Sequence, residues 1–259
     1  MTQEVVRVRE AQGVLTLWLN RPEKRNALNG PMVEALHEAL VRAEERPGVK
    51  VILLRGRGPD FCAGADLDEL ERTTRQGPDA SLAEAEGLGS LFLRMRRHPL
   101  PVIAAVHGRA LAGGCGLATA CDLIVASETA EFGYPEIHLG FVPAMVMAIL
   151  RLKIGESRAF ELVSLGGRIP ASEAMEMGLV NRVFSEEKYE EDLQGFAQDL
   201  ALRPSEALTL TKHLLYELAD LSMGEGIARG AQVNVEARQT QACREGVEAF
   251  LQRRKSGST

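Results

Sequence analysis

Short alternating or β-branched runs open the chain. Val5 to Arg9 and Val14 to Leu19 flank Ala11-Gln12-Gly13, which predicts a hairpin. The period then changes: Val33, Leu36, Leu40 and Val41 recur at helical spacing, with Pro31 in the first turn and Pro47-Gly48 as the stop. The apolar run from Val49 to Arg55 predicts a strand. A helix after Asp66, a strand at Val102, a helix from about Gly114 and a strand at Leu123 to Ala126 repeat the β-then-α order of a layered α/β core. The final hundred residues are predicted almost wholly helical. There Leu208, Thr211, Leu215 and Leu218 form one stripe, and Ile227, Val233, Val247, Phe250 and Leu251 continue the amphipathic pattern. Those faces need cover, from the chain's own core or from another copy. Gln76 to Ser81 is the most loop-like interior stretch, and Lys255 to Thr259 is predicted to be a frayed tail.

Composition narrows the class. A chain of 259 residues, 45% of them hydrophobic, can bury a large core as one domain, or as one domain with a helical appendage. No linker divides it, and no internal repeat is visible. The net charge of -6 argues against a general nucleic-acid surface. Cys62, Cys115, Cys121 and Cys243 show no paired metal spacing, so no metal is expected and a reduced, cytoplasmic setting fits better than a disulfide scaffold. The first residues lack a signal or transit pattern, and no apolar run approaches a membrane span.

Two stretches carry candidate chemistry. Phe61-Cys-Ala-Gly-Ala-Asp66 and Ala112-Gly-Gly-Cys-Gly-Leu117 each follow an apolar run and are rich in small residues, as at a strand-to-helix turn whose bare N–H groups can touch a ligand. Two such amides converging on one carbonyl oxygen make an oxyanion hole, where one donor is worth roughly 2.7–4 kcal/mol. Small residues after a strand also serve plain helix packing, and neither stretch decides alone.

The remaining landmarks follow in a familiar order. They are Asn20-Arg-Pro-Glu-Lys-Arg-Asn-Ala-Leu28, Ala104 to Ala118, Cys121-Asp-Leu-Ile-Val-Ala126, Phe132-Gly-Tyr-Pro-Glu-Ile-His-Leu-Gly-Phe-Val-Pro143, Ala174 to Val183 and Glu245 to Arg254. With the two turns they resemble the crotonase, or enoyl-CoA hydratase/isomerase, superfamily over nearly the whole chain. The resemblance implies an α/β fold, a spiral of repeated ββα units with a C-terminal helical region. The core would span 1–200 and bind acyl-CoA; residues 201–259 would build a homotrimer, and trimers would pair into a homohexamer. No cofactor is implied beyond coenzyme A as part of an acyl-CoA thioester substrate, and neither nucleic acid nor membrane is expected as a partner.

The same resemblance implies site roles. The amides of Ala65 and Gly113 would bind the thioester oxygen, helped by the helix start near Gly114. The Ala63 carbonyl would meet the adenine amino group, and Asp66 the pantetheine arm, although Asp66 equally suits a helix cap. Ala27, Gly64, Leu67, Gly116 and Phe250 would complete the coenzyme site. Lys24 and Arg25, with Arg253, Arg254 or Lys255 of a neighbouring copy, would face its phosphates. Leu67, Leu70, Leu111, Phe141 and Met145 would shape the acyl pocket. Glu136 would move the proton, its pKa raised by the apolar segment Leu139 to Ile149; His138 would be structural.

Gly116 departs from the pattern. Many hydratases of this family carry a second glutamate there, and some isomerases a carboxylate where this chain has Ala144. The expected activity is reversible hydration of a short or branched 2-enoyl-CoA, 3-methylglutaconyl-CoA among the candidates. A 3-enoyl to 2-enoyl isomerase and a non-catalytic acyl-CoA binder are the alternatives. A nicotinamide enzyme fits poorly, because Gly114-Cys-Gly116 lies far from the first βα unit.

Overall fold

The structure is a computed structural model that describes residues 4–256. The hairpin forms as the pattern predicts: β1 (Val6–Ala11) pairs antiparallel with β2 (Val14–Leu19), and Gln12 and Gly13 turn at φ of 51° and 78°. Two positive φ values match the twist of the strands they join. The helix α1 (Gly30–Glu44) follows, with the Asn29 side chain accepting from Met32 N–H at 3.1 Å. It buries Met32, Leu36, Leu40 and Ala43 but turns Val41 outward, so the apolar stripe is narrower than the spacing suggests.

Beyond the hairpin, β3 (Val51–Gly56), β4 (Val102–Val106), β6 (Leu123–Ser127) and β9 (Arg182–Phe184) extend the sheet in parallel, in the order β1-β2-β3-β4-β6-β9. A second sheet holds β5 (Arg109–Leu111), β7 (Glu131–Gly133) and β8 (Arg168–Pro170) in the order β5-β7-β8. Central parallel strands have both faces covered, which is why β3 and β4 read as unbroken apolar runs. Ile52, Leu54, Ala104 and Val106 face the main core. Val51, Leu53, Ile103 and Ala105 face the opposite way, against Tyr189, Leu193 and Ala197 of a helix at Tyr189–Ala201.

One course repeats three times: a strand in the large sheet, a pairing with the small one that is a single bridge in the first course and a short strand in the next two, then helix. β3 leads to Cys62, which bridges Ala110, and on to α2 (Leu67–Gln76) and α3 (Pro78–Arg97). β4 leads through β5 to α4 (Gly113–Ala120). β6 leads through β7 to a 3-10 helix, Pro135–Leu139, and then α5 (Ala144–Ile154). This is the ββα spiral that the resemblance implies. The three-residue strands β5, β7, β8 and β9 are too short to leave a periodic signal. Gln76 to Ser81 is not a loop. Gly77, at φ 108°, ends α2 and starts α3, and Pro78 takes the first turn, where its missing N–H costs nothing.

After α5 come α6 (Glu156–Leu165), α7 (Ala171–Glu176), α8 (Tyr189–Ala201), α9 (Ser205–Glu217), α10 (Met223–Gln239) and α11 (Gln241–Ser256). The chain's own core covers only part of the C-terminal apolar face. Val233 is buried, yet Leu215, Ile227, Val247 and Phe250 are exposed in the single chain. What α9 does bury is Lys212, whose Nζ donates to the Met95 carbonyl at 2.9 Å and the Leu100 carbonyl at 3.0 Å and pairs with Asp122 at 2.8 Å. A buried ammonium needs such a complete set of acceptors. The predicted tail lies partly outside the description: residues 257–259, and the side chains of 255 and 256, are not described.

The three courses pack backbone on backbone. A methyl group on Gly114 would sit 2.3 Å from the Cys62 carbonyl oxygen, whereas one on Gly195 of α8 meets nothing within 4 Å. We expect Gly114→Ala to cost about 3 kcal/mol and lower the melting temperature by roughly 6–12 °C. Gly195→Ala should raise it by 1 kcal/mol's worth or about 2–4 °C. Thermal unfolding followed by circular dichroism checks both signs.

Candidate active site

The ends of the three courses meet. Leu28 N–H donates to the Gly64 carbonyl at 2.7 Å and Asp66 N–H to the Leu28 carbonyl at 2.8 Å, so Ala65 between them has no backbone acceptor for its own N–H among the described residues. Gly113 opens α4, where the first N–H groups have no partner within the helix. The two amides are neighbours: a methyl group on Gly113 would lie 3.7 Å from Ala65 N, and one on Gly64 3.6 Å from Gly113 N. Gly64 permits this at φ 114°, and a methyl there would strike the Ala112 side chain at 2.8 Å.

Ala112 is held in an unusual conformation, φ 50° and ψ -128°, which turns the chain from β5 into α4. Such a state costs an alanine about 1–3 kcal/mol and persists only where its surroundings fix it. Here Ala112 N–H donates to the Gly133 carbonyl at 2.9 Å, and the Ala112 carbonyl accepts from Gly116 N–H at 2.9 Å. The positive end of α4 therefore points to the same place as the two amides.

Glu136 arrives from the third course. It is 7% exposed, in the first turn of the 3-10 helix, and its Oε2 has no hydrogen-bond partner among the described residues. Burial raises its pKa above the usual carboxylate range, slightly opposed by its own N–H. A cavity of about 1350 Å³ is lined by Glu136, Ala65, Gly113 and Gly116 together. A proton-accepting group and two amide donors thus share one space.

Most of the other expected residues border that cavity. Lys24, Ala27, Ala63, Asp66, Leu67, Leu70, Phe141 and Met145 line it, as does His138, whose Nε2 lies 3.2 Å from the Gly166 carbonyl. Asp66 caps α2, accepting from Asp68 N–H at 3.1 Å, and pairs with Arg21 at 2.8 Å. Arg21 also donates to the Ala27 carbonyl at 2.7 Å and so ties the first loop to the start of α2. Nothing in the spacing of Asn20-Arg-Pro singles this arginine out.

Others lie elsewhere. Arg25, at φ 50°, turns its guanidinium toward Asp60, 4.0 Å away, rather than to the cavity. Lys24 pairs with Asp68 at 2.7 Å. Leu111 is buried in β5 and is not in the cavity wall. Gly114 is buried against Cys62, one residue behind the amide that faces the cavity. Phe250 stands exposed on α11, and Arg253 and Arg254 on the same helix do not line the cavity of this chain.

The wall beside Gly116 has a definite composition. A methyl group on Gly116 would lie 3.2 Å from Phe92 Cζ and 3.4 Å from Val146 Cβ. Phe92 of α3 and Val146 of α5 thus crowd the position of a Cβ at 116 and make the wall there apolar. The periodic positions Leu88, Leu91, Phe92 and Met95 behind Pro78 were the available signal for this helix.

Spiral, paired amides and buried glutamate together define an acyl-thioester enzyme of the crotonase type. The family model for enoyl-CoA hydratase/isomerase matches residues 9–257. The chain is 41% identical to a Thermus thermophilus protein provisionally named an enoyl-CoA hydratase, over 93% of this chain and 95% of that one. It is 35% identical to the 2,3-dehydroadipyl-CoA hydratase of Escherichia coli, covering 95% of each. An enoyl-CoA hydratase structure from Mycobacterium smegmatis superposes with a TM-score of 0.90 at 32% identity, covering 96% of each chain. The chain belongs to the enoyl-CoA hydratase/isomerase family and is an enzyme of the hydratase type.

The raised pKa of Glu136 has a sign that can be measured. A carboxyl whose folded pKa exceeds its unfolded value favours folding while both states are protonated, and this benefit is lost as pH rises through the folded pKa. Glu136→Gln removes the penalty of a buried charge. Its melting temperature should exceed wild type at pH 8, with the gap closing as pH falls below about 4.5, the ordinary carboxylate value. Calorimetric scans across that range check the trend.

Proposed function

We propose that the chain catalyses reversible addition of water to the double bond of a 2-enoyl-CoA thioester. The observation that carries this reading is the meeting of the Ala65 and Gly113 amides with the buried Glu136 carboxylate, whose Oε2 has no partner among the described residues, in one cavity. The thioester oxygen accepts from both amides. Glu136 takes a proton from water as the water oxygen bonds to C3, and the π electrons move through C2 onto the thioester oxygen as an enolate. The enolate collapses as Glu136 returns the proton to C2. Water has then been added, and the carboxylate is regenerated.

Each amide is worth roughly 2.7–4 kcal/mol to such an enolate, because the donors are already aimed where charge develops. A glutamate whose pKa burial has raised accepts a proton more readily than an ordinary surface carboxylate. Along the coenzyme, the Ala63 carbonyl meets the adenine amino group, Asp66 lies beside the pantetheine arm, Ala27 and Leu67 border the coenzyme, and Lys24 faces the phosphates. Arg25, Arg253, Arg254, Lys255 and Phe250 would contribute from outside this cavity, the C-terminal ones from a neighbouring copy.

The apolar wall beside Gly116 favours a second reading. One carboxylate suffices for a 1,3-proton shift, so a 3-enoyl thioester could be isomerised by Glu136 alone. Wild type and Glu136→Gln assayed with crotonyl-CoA and a 3-enoyl-CoA in D₂O, with mass detection, separate the cases. We expect water addition with deuterium at C2, and a loss of kcat of about 10³-fold in the variant. Double-bond migration without hydration would make the enzyme an isomerase, and binding without turnover a non-catalytic protein.

Assembly belongs to the same reading. The exposed apolar residues Leu215, Ile227 and Phe250 on α9, α10 and α11 support a homotrimer, paired into a homohexamer. Light scattering after gel filtration should give three or six times the chain mass; a monomer would contradict it.

A further inference from the structure

Phe92 and Val146 are only the beginning of an apolar track. From Phe92, which touches the space beside Gly116, the cavity wall runs back along one face of α3 through Leu88, Ala85 and Ser81. At 1.5 Å per residue that face is about 16 Å long. Val33 of α1 and Leu70 of α2 line the same cavity, and α1 and α2 both pack on α3. Met145 of α5 closes the wall near the reaction centre, 3.6 Å from where a methyl on Gly89 would sit. The track along α3 is thus longer than a four-carbon acyl group, with the residues assigned to the coenzyme, Ala27, Ala63, Asp66 and Leu67, on another part of the same wall.

Its charge is one-sided. Glu34, Asp66, Asp68, Glu69, Glu84 and Glu136 line the cavity, and Lys24 is the one lysine or arginine among the described lining residues. Lys24 is exposed and already paired with Asp68. Glu69 accepts from Gly30 N–H and pairs with Arg72, Asp66 pairs with Arg21, and Glu84 accepts from the Thr73 hydroxyl, so the cations near this wall are already committed. A second carboxylate carried on an acyl tail would enter the apolar stretch at Leu88 and Phe92 with no uncommitted cation among the described lining residues to meet it.

We infer that the channel between α1, α2 and α3 receives the acyl tail, and that it selects linear apolar 2-enoyl groups longer than crotonyl and rejects acyl groups ending in a carboxylate. This rests on the hydratase reading for its chemistry and deepens it to a substrate class. Leu88 and Phe92 are the specificity-determining residues. The similarity to a 2,3-dehydroadipyl-CoA hydratase makes the contrast sharp, since that relative's named substrate ends in a carboxylate. 3-Methylglutaconyl-CoA, a candidate from the family resemblance, is excluded on the same ground.

The test uses wild type and Leu88→Lys with 2-butenoyl-, 2-hexenoyl-, 2-octenoyl- and 2,3-dehydroadipyl-CoA. Calorimetry of the saturated pair, hexanoyl- and adipoyl-CoA, needs no turnover. We expect kcat/KM to rise about fourfold per added methylene from four to eight carbons. The six-carbon dicarboxylic substrate should fall about 100-fold below 2-hexenoyl-CoA, with adipoyl-CoA binding weaker than hexanoyl-CoA by a similar factor. Leu88→Lys should narrow that gap at least tenfold. Hydration with no dependence on length, or equal use of the two six-carbon substrates, would overturn the proposal. Discrimination in binding without any hydration would sustain the channel and sink the hydratase reading instead.

Discussion

Everything at this site depends on how closely two stretches of backbone approach. Cys62 bridges Ala110, and α4 then begins so near that Gly114 has no room for a side chain above the Cys62 carbonyl. Gly64 lies against Ala112 in the same way. These contacts bring the Ala65 and Gly113 N–H groups side by side, and the strained turn at Ala112 fixes their direction. A donor pair of this kind cannot be supplied by flexible side chains, since its value lies in being in place before charge develops.

The spiral explains why one cavity gathers residues from positions 65, 113 and 136. Each course delivers one strand-to-helix junction to the same end of the small sheet, and each junction carries one functional group: an amide, a second amide beside a helix start, and a carboxylate. The carboxylate is the only one that needs a side chain. Its burial on the 3-10 helix, next to the apolar start of α5, separates its pKa from that of an ordinary surface glutamate.

Much of this was legible in the sequence because small residues and long apolar runs are strong signals. The hairpin, α1, β3, β4, α4 and β6 follow from period and punctuation, and the two turns rich in small residues announce exposed amides. The three-residue strands were not legible, since pairing in the second sheet is decided by contacts between distant segments rather than by pattern. Glu136 stands out only through the family resemblance; locally it is one carboxylate in a mixed stretch. Arg25 shows what spacing does not tell: a cation beside the right loop whose guanidinium lies 4.0 Å from Asp60 and does not line the cavity of this chain. Gly116 was legible as a departure, but Phe92 and Val146, which crowd the position of a Cβ there, come from helices far along the chain.

The most direct test of the account is a crystal structure with a bound acyl-CoA that cannot turn over, such as the saturated hexanoyl thioester. The account predicts the thioester oxygen about 3 Å from both the Ala65 and Gly113 nitrogens, with C2 and C3 beside Glu136 and the alkyl tail along α3. A thioester oxygen held by other groups, or a tail directed away from Leu88 and Phe92, would contradict it.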